Sequence, residues 1–260
     1  MFEPDDQGVT VHGEVAEVNV QEAEAKLQEI EAFASVTVEK HIVLQQNWNA
    51  QWESEYPQVV VEDEEGHVVC TIRAPFHKAP TSGLDVVVAP QMSFGTGHHA
   101  TTYLMTRALM SLDLSGKAVL DMGCGTGVLA LVAALQGAVK VLGIDIEHDA
   151  VQNAMDNANL NPGIRDSLDL HFEQGDGSAC EEMKAQSWHL ICANIHKNVL
   201  TADMPRYART LRAGGNVLFS GFFEGDVPAM QTAVEAAGLE VFGVSLREGW
   251  ACMHCGKPSA

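Results

Sequence analysis

Basic residues are scarce in this 260-residue chain: 15 Lys and Arg stand against 35 Asp and Glu, a formal net charge of −20. Such a charge repels phosphate backbones and anionic lipid surfaces, so direct nucleic-acid or membrane binding is not expected. Long apolar runs are also missing; the longest, Val128–Leu135, is far short of a bilayer span. The opening MFEPDD has neither a basic stretch nor an apolar core, so a signal peptide is not expected. Repeats and low-complexity tracts are absent. The six cysteines follow no framework spacing, which fits reduced thiols in the cytoplasm. Cys252-Met-His-Cys255 is the one metal-like pattern, but no second Cys or His pair lies nearby. No metal site is expected, and both thiols read as packing residues of a terminal strand.

The charge is unevenly spread. Residues 1–66 hold sixteen acids and two bases, Lys26 and Lys40; the remainder holds nineteen acids and thirteen bases. The acidity either serves solubility or marks where a basic partner docks.

With 46% hydrophobic residues there is ample material for a core. Val9–His12 reads as a short strand, Glu17–Phe33 as a helix and Ser35–Leu44 as a β-branched strand. Trp48 and Trp52 form one stripe on a short connecting helix. Val59–Val61, Val68–Arg73 and Asp85–Ala89 read as strands. From Gly116 onward strands alternate with helices. The strands are Ala118–Met122, Lys140–Asp145, Asp169–Gln174, His189–Ala193 and Asn216–Gly221. Short apolar strands separated by helices imply a doubly wound, mostly parallel α/β sheet. Glu240–Ser245 and Trp250–Cys255, with only a turn between them, should close it as an antiparallel hairpin.

The first of these strands runs into Asp121-Met-Gly123-Cys-Gly125-Thr-Gly127. Open α/β sheets bind ligands beyond the carboxyl ends of their strands, and glycines there let backbone approach a ligand without a Cβ. A dinucleotide fingerprint requires glycine three residues after Gly125, but Val128 stands there. G-x-G-x-G preceded by Asp is instead the adenosylmethionine-dependent methyltransferase pattern. Its acid can face a cationic sulfonium–amino-acid ligand, whereas it would repel a pyrophosphate.

Asp145, ending the second strand, can accept hydrogen bonds from ribose hydroxyls or cap the helix that follows. Asp176 in Gly-Asp-Gly can reach an adenine amino group or stabilise a turn. Asn194, at the end of the fourth strand, can accept a hydrogen bond from an attacking amine, or cap a helix. His196 and Lys197 receive no role. Upstream, Phe94-Gly95-Thr-Gly97-His-His99-Ala-Thr101-Thr102 makes a loop suited to folding over a ligand, with Thr101 alternatively capping the helix at Leu104–Leu112.

Taken together, Met92–Thr102, Leu120–Gly127, Gly143–Asp145 and Ala193–Ile195 closely resemble the PrmA family, the ribosomal protein L-eleven methyltransferases, over essentially the whole chain. The loop with two Gly, His and two Thr is the most specific carrier. The resemblance implies a seven-stranded methyltransferase domain preceded by a ferredoxin-like recognition domain and a linker. It also implies methyl transfer from S-adenosylmethionine to lysine and N-terminal amines of a large-subunit ribosomal protein. Carried over by position, Phe94, Gly95, Thr102, Asp121, Gly123, Gly125, Asp145 and Asn194 would hold the cofactor, with Asn194 also meeting the amine as the catalytic residue. Only one strand–helix–strand unit precedes Trp48, where the family has two. Residues 1–46 therefore read as a partial recognition domain, 47–58 as the linker and 59–260 as the methyltransferase domain. The fold alone does not choose a substrate. A methyltransferase for a small amine or carboxylate and a non-catalytic assembly factor remain rival readings, and a nucleic-acid methyltransferase is the weakest.

Overall fold

The computed structural model describes residues 2–5, 8–11, 57–89, 100–164 and 168–259. Two compact units divide the chain, Met1–Gln51 and Trp52–Ala260. In the first, β1 (Phe2–Asp5) and β2 (Gly8–Val11) pair antiparallel. The expected strand at 9–12 thus has a partner that its Pro and acidic residues conceal. The expected helix 17–33 and strand 35–44 lie outside the described residues, as does the partial recognition domain apart from β1 and β2. Of the connecting helix expected at 47–58 only residues 57 and 58 are described, and they are not helical.

The second unit opens with a three-stranded sheet. In it β3 (Val59–Glu62) runs antiparallel to β4 (Val68–Arg73), and β5 (Leu84–Val87) lies parallel to β4. Then come α1 (Ala100–Met110), β6 (Ala118–Met122), α2 (Val128–Leu135), β7 (Lys140–Asp145), α3 (His148–Asn159) and β8 (Asp169–Gln174). The short α4 (Ala179–Glu182), β9 (Trp188–Asn194), α5 (Lys197–Thr210), β10 (Leu211–Phe223), α6 (Val227–Ala236), β11 (Glu240–Arg247) and β12 (Trp250–Gly256) complete it. The large sheet has the order β11-β12-β10-β9-β6-β7-β8. Its strands are parallel except β12, which runs antiparallel to both β10 and β11. The turn Glu248-Gly249 between β11 and β12 has positive φ at both residues, the geometry that two-residue hairpins favour. The expected doubly wound sheet and closing hairpin are both present.

Side-chain alternation along these strands feeds two cores. Val119, Val141, Leu190, Cys192 and Leu218 pack beneath α1, α2 and α3; Leu120, Ile144, Ile191, Val217 and Phe219 pack beneath α5 and α6. α2 reads VLALVAAL and is buried from Val128 through Ala134, which its apolar circumference requires. Each such Leu or Val removed from water contributes about 1.5–3 kcal/mol. No described helix is long and apolar enough to cross a membrane.

Two asparagines at the end of α3 anchor β5 and the residues after it. Asn161 exchanges hydrogen bonds with both backbone groups of Val87 (2.9 and 2.8 Å), and Asn157 accepts one from Ala89 N–H (2.8 Å). Cys252 and Cys255 sit three apart on β12 and so face opposite cores. Cys252 lies against Met105 and Cys255 lies among the residues under α5 and α6. Burial pushes both thiols up to about 12, and the two cannot meet at one ion.

Candidate active site

Strand order reverses between β6 and β9, and the carboxyl ends of β6, β7, β8 and β9 surround a cavity of about 490 Å³. That volume lies within the roughly 300–1,000 Å³ typical of small-molecule sites. A wider hollow of about 690 Å³ runs along α3 and β8, but it is lined by residues such as Ile164 and Leu170 and by no carboxylate.

The glycine turn forms one wall. Its backbone is pinned to β7, since Gly123 N–H and Cys124 N–H both donate to Ile144 O (2.7 and 3.0 Å). Gly123 and Gly125 both adopt positive φ, but for different ends. A Cβ on Gly123 would overlap the Ile195 side chain, so that glycine serves close packing. A Cβ on Gly125 would meet nothing within 4 Å, because it would project into open space. Gly125 therefore leaves that face of the cavity open.

Asp145 stands opposite. Its Oδ2 accepts from Gly125 N–H (2.8 Å) and its Oδ1 from Glu147 N–H (3.0 Å). The α3 N-cap is Glu147, so Asp145 supports the helix start without being its cap. Asp176 Oδ1 accepts from Ser178 N–H (2.8 Å), and the hydrogen bonds from Ser178 hold its carboxyl below the usual range. It stabilises the turn, one of the two roles its sequence context left open, and also lines the cavity. Asn194, the last residue of β9, lines the cavity beside Ile195. The cap of α5 is His196, whose ring accepts from Asn198 N–H (3.3 Å), so capping does not account for Asn194. Thr102 reaches the cavity from the first turn of α1. That helix already begins at Ala100, so Thr101 lies inside it, buried, instead of capping it.

Asp121 is placed differently from the other acids. It is only 1% exposed and does not line the cavity; its Oδ2 accepts from Ala130 N–H (3.1 Å) behind the glycine turn. Burial, aided by the charge of Asp145, pushes its carboxyl up to about 7. Facing a cationic ligand directly is not the position this geometry gives it. Phe94 and Gly95 lie outside the described residues.

The cavity also gathers residues that no local motif announces. Ile146, 64% exposed, and Val199, 45% exposed, offer apolar surface at its mouth. Asp203 and Tyr207 enter from α5, a helix packed from outside the sheet. An apolar residue directly after the strand-ending Asp145 was a usable signal for Ile146; nothing comparable marks Asp203 or Tyr207.

Among the described residues, four carboxylates line the cavity (Asp145, Glu147, Asp176, Asp203) and no Lys or Arg does. Such a lining opposes a pyrophosphate and favours a ligand carrying positive charge. An open glycine, a strand-ending acid and exposed aliphatic side chains fit an adenosyl group bearing a cationic sulfonium and an amino-acid end.

Comparison with known proteins agrees. The family model for ribosomal protein L11 methyltransferase (PrmA) matches residues 6–258. The ribosomal protein L11 methyltransferase of Porphyromonas gingivalis is 41% identical over 210 residues, covering 80% of this chain and 69% of that protein. The namesake from Deinococcus radiodurans is 37% identical over 208 residues, covering 77% of this chain and 72% of that protein. Among solved structures, a ribosomal protein L11 methylase from Lactobacillus delbrueckii superposes with a TM-score of 0.66 at 22% identity. It covers 78% of this chain and all of that one, a likeness of fold. With sequence and fold in agreement, the chain belongs to the ribosomal protein L11 methyltransferase (PrmA) family.

Proposed function

We propose that this protein methylates lysine side chains and the N-terminal α-amine of ribosomal protein L11. It is an S-adenosylmethionine-dependent protein methyltransferase. The observation that carries the substrate chemistry is the cavity itself: among the described residues it is lined by four carboxylates, of which Asp203 pairs with Arg206, and by no Lys or Arg, with a neutral amide, Asn194, at the rim. Bound there, the cofactor supplies an electrophilic methyl group on a sulfonium centre.

The residues act by positioning. Asp145 holds ribose hydroxyls while bracing the turn at Gly125. Asp176 meets the adenine amino group. Gly123, Gly125 and Thr102 bound the methionine end, to which the family resemblance also assigns Phe94 and Gly95. Asp121 acts through the turn it lies behind. Asn194 accepts an N–H of the incoming amine and holds its lone pair toward the methyl group. A lysine amine has an unperturbed pKa of about 10.4 and must shed one proton first. Orientation in a water-poor pocket supplies most of the rate.

The basic substrate is drawn by the acidity of residues 1–66, where the recognition domain is expected; neither nucleic acid nor membrane takes part, and the reaction is cytoplasmic.

Labelled methyl transfer to recombinant ribosomal protein L11, with sites located by mass spectrometry, tests the reading. Labelled lysine and N-terminal amines are expected. Cofactor binding with no labelled ribosomal protein would sink the substrate assignment and favour a small-molecule amine.

A further inference from the structure

Five buried side-chain polar atoms have no hydrogen-bond partner among the described residues: Thr106 Oγ1, Asp121 Oδ1, Gln136 Oε1, Asn153 Nδ2 and Tyr207 Oη. Of these residues, Tyr207 is the one that lines the cavity. It comes from α5, where Val199, Asp203 and Tyr207 recur every fourth position and so share one face of the helix. All three line the cavity, from Val199 at the exposed mouth to Tyr207, which is fully buried. Asp203 stands between them, its carboxylate paired with Arg206 and packed so close to Gly177 that no Cβ would fit there. Asp203, one turn before Tyr207, thus sets this face of the helix against the side of the cavity formed by Gly175, Asp176 and Gly177, where the adenosyl group is placed above.

Packing explains the Tyr207 ring and leaves the oxygen unexplained. The ring lies against Phe219, with centroids 6.1 Å apart. A phenylalanine would fill the same space without a buried, unsatisfied hydroxyl. We propose that Tyr207 is a cofactor-positioning residue whose hydroxyl hydrogen-bonds the adenosyl end of S-adenosylmethionine, directly or through one water. The proposal rests on the methyltransferase reading and adds to it a group that fixes the purine. A phenol both donates and accepts, and a purine edge offers ring-nitrogen acceptors beside an amine donor. Burial and the neighbouring Asp203 raise the phenol well above its ordinary value, so it stays protonated, and a donor, throughout the working range.

The Tyr207→Phe substitution separates this role from a structural one. Thermal unfolding of the ligand-free protein should be unchanged or slightly raised, because no partner of the hydroxyl is lost. Calorimetry with S-adenosylhomocysteine should show about three- to tenfold weaker binding, the scale of one neutral hydrogen bond. The same loss is expected with methylthioadenosine, which keeps the adenosyl group and lacks the amino-acid end. In turnover, KM for S-adenosylmethionine should rise with kcat nearly constant. Equal affinity of wild type and variant overturns the proposal. So does a lowered unfolding temperature with affinity intact, which would make the hydroxyl structural. A loss confined to S-adenosylhomocysteine overturns its assignment to the purine. Wild-type protein that binds neither ligand would instead refute the methyltransferase reading, a distinct outcome.

Discussion

Asp145, at the end of β7, accepts a hydrogen bond through Oδ2 from the backbone N–H of Gly125, 2.8 Å away in the turn after β6. The acid thus shapes the glycine wall as well as lining the cavity, where ribose binding is proposed for it. Asp145→Ala removes both functions, whereas Asp145→Asn keeps an acceptor oxygen for one of them. Calorimetry should show cofactor affinity falling about tenfold or more for Ala and less for Asn, with folding preserved in both. Unchanged affinity in the Ala variant would take Asp145 out of the site.

The two glycines at 123 and 125 should separate stability from binding. Both pay for positive φ when substituted, about 1–2 kcal/mol. Gly123→Ala adds an overlap with Ile195 and should lower the unfolding temperature markedly. Gly125→Val faces open space and should fold, yet block the cofactor by intruding on the cavity. Normal cofactor binding by folded Gly125→Val would contradict the proposed placement.

Asp121 should give stability a pH dependence. Its carboxyl is raised from an ordinary 3.8 to about 7 in the folded protein, so the native state holds this proton more tightly than the unfolded chain. The contribution is fully present below about pH 4 and is lost as pH rises to about 7, at most on the order of 4 kcal/mol. Urea titrations between about pH 5 and 7.5 should show wild type losing stability more steeply than Asp121→Asn. Parallel curves would mean that Asp121 does not titrate in this range.

Asn157 touches no ligand, yet it bonds Ala89 N–H (2.8 Å) and donates to Thr126 O in the glycine turn (2.9 Å). Asn157→Leu is near-isosteric and strands a buried carbonyl and a partly buried N–H. A loss of about 2–4 kcal/mol is expected by denaturant unfolding, accompanied by weaker cofactor binding. Full stability in that variant would show that the turn holds without the bridge.

If the acidity of residues 1–66 captures a basic substrate, raising salt should increase KM for ribosomal protein L11 far more than Kd for the cofactor. A KM insensitive to salt would reduce the acidity to a solubility feature.

Much of the second unit was legible because its signals are local. Ala118–Met122 and His189–Ala193 are short, largely apolar strands, Val128–Leu135 is an apolar helix, and both β6 and β7 run into residues whose chemistry suits strand ends. β1 was not legible, since a strand carrying Pro4 and two acids is defined by its partner β2. The capping read for Thr101, and the alternative of capping for Asp145 and Asn194, do not hold for a similar reason. One residue's shift in a helix start changes which side chain caps it, and competing hydrogen bonds decide that shift.

By itself the amino-acid sequence determined the alternating elements, the family-specific glycine, His and Thr segments, and the presence of acids where a cationic cofactor needs them. Only the tertiary structure decided which acids face the cavity. Asp121 and Asp145 point to the same face of the sheet, but Asp121 is level with Gly143, two residues deeper along the strands, so it lies behind the glycine turn while Asp145 reaches in front of it. Tertiary packing also brought Asp203 and Tyr207 to a site built from strands far upstream, because the face a helix presents depends on how it seats against the sheet.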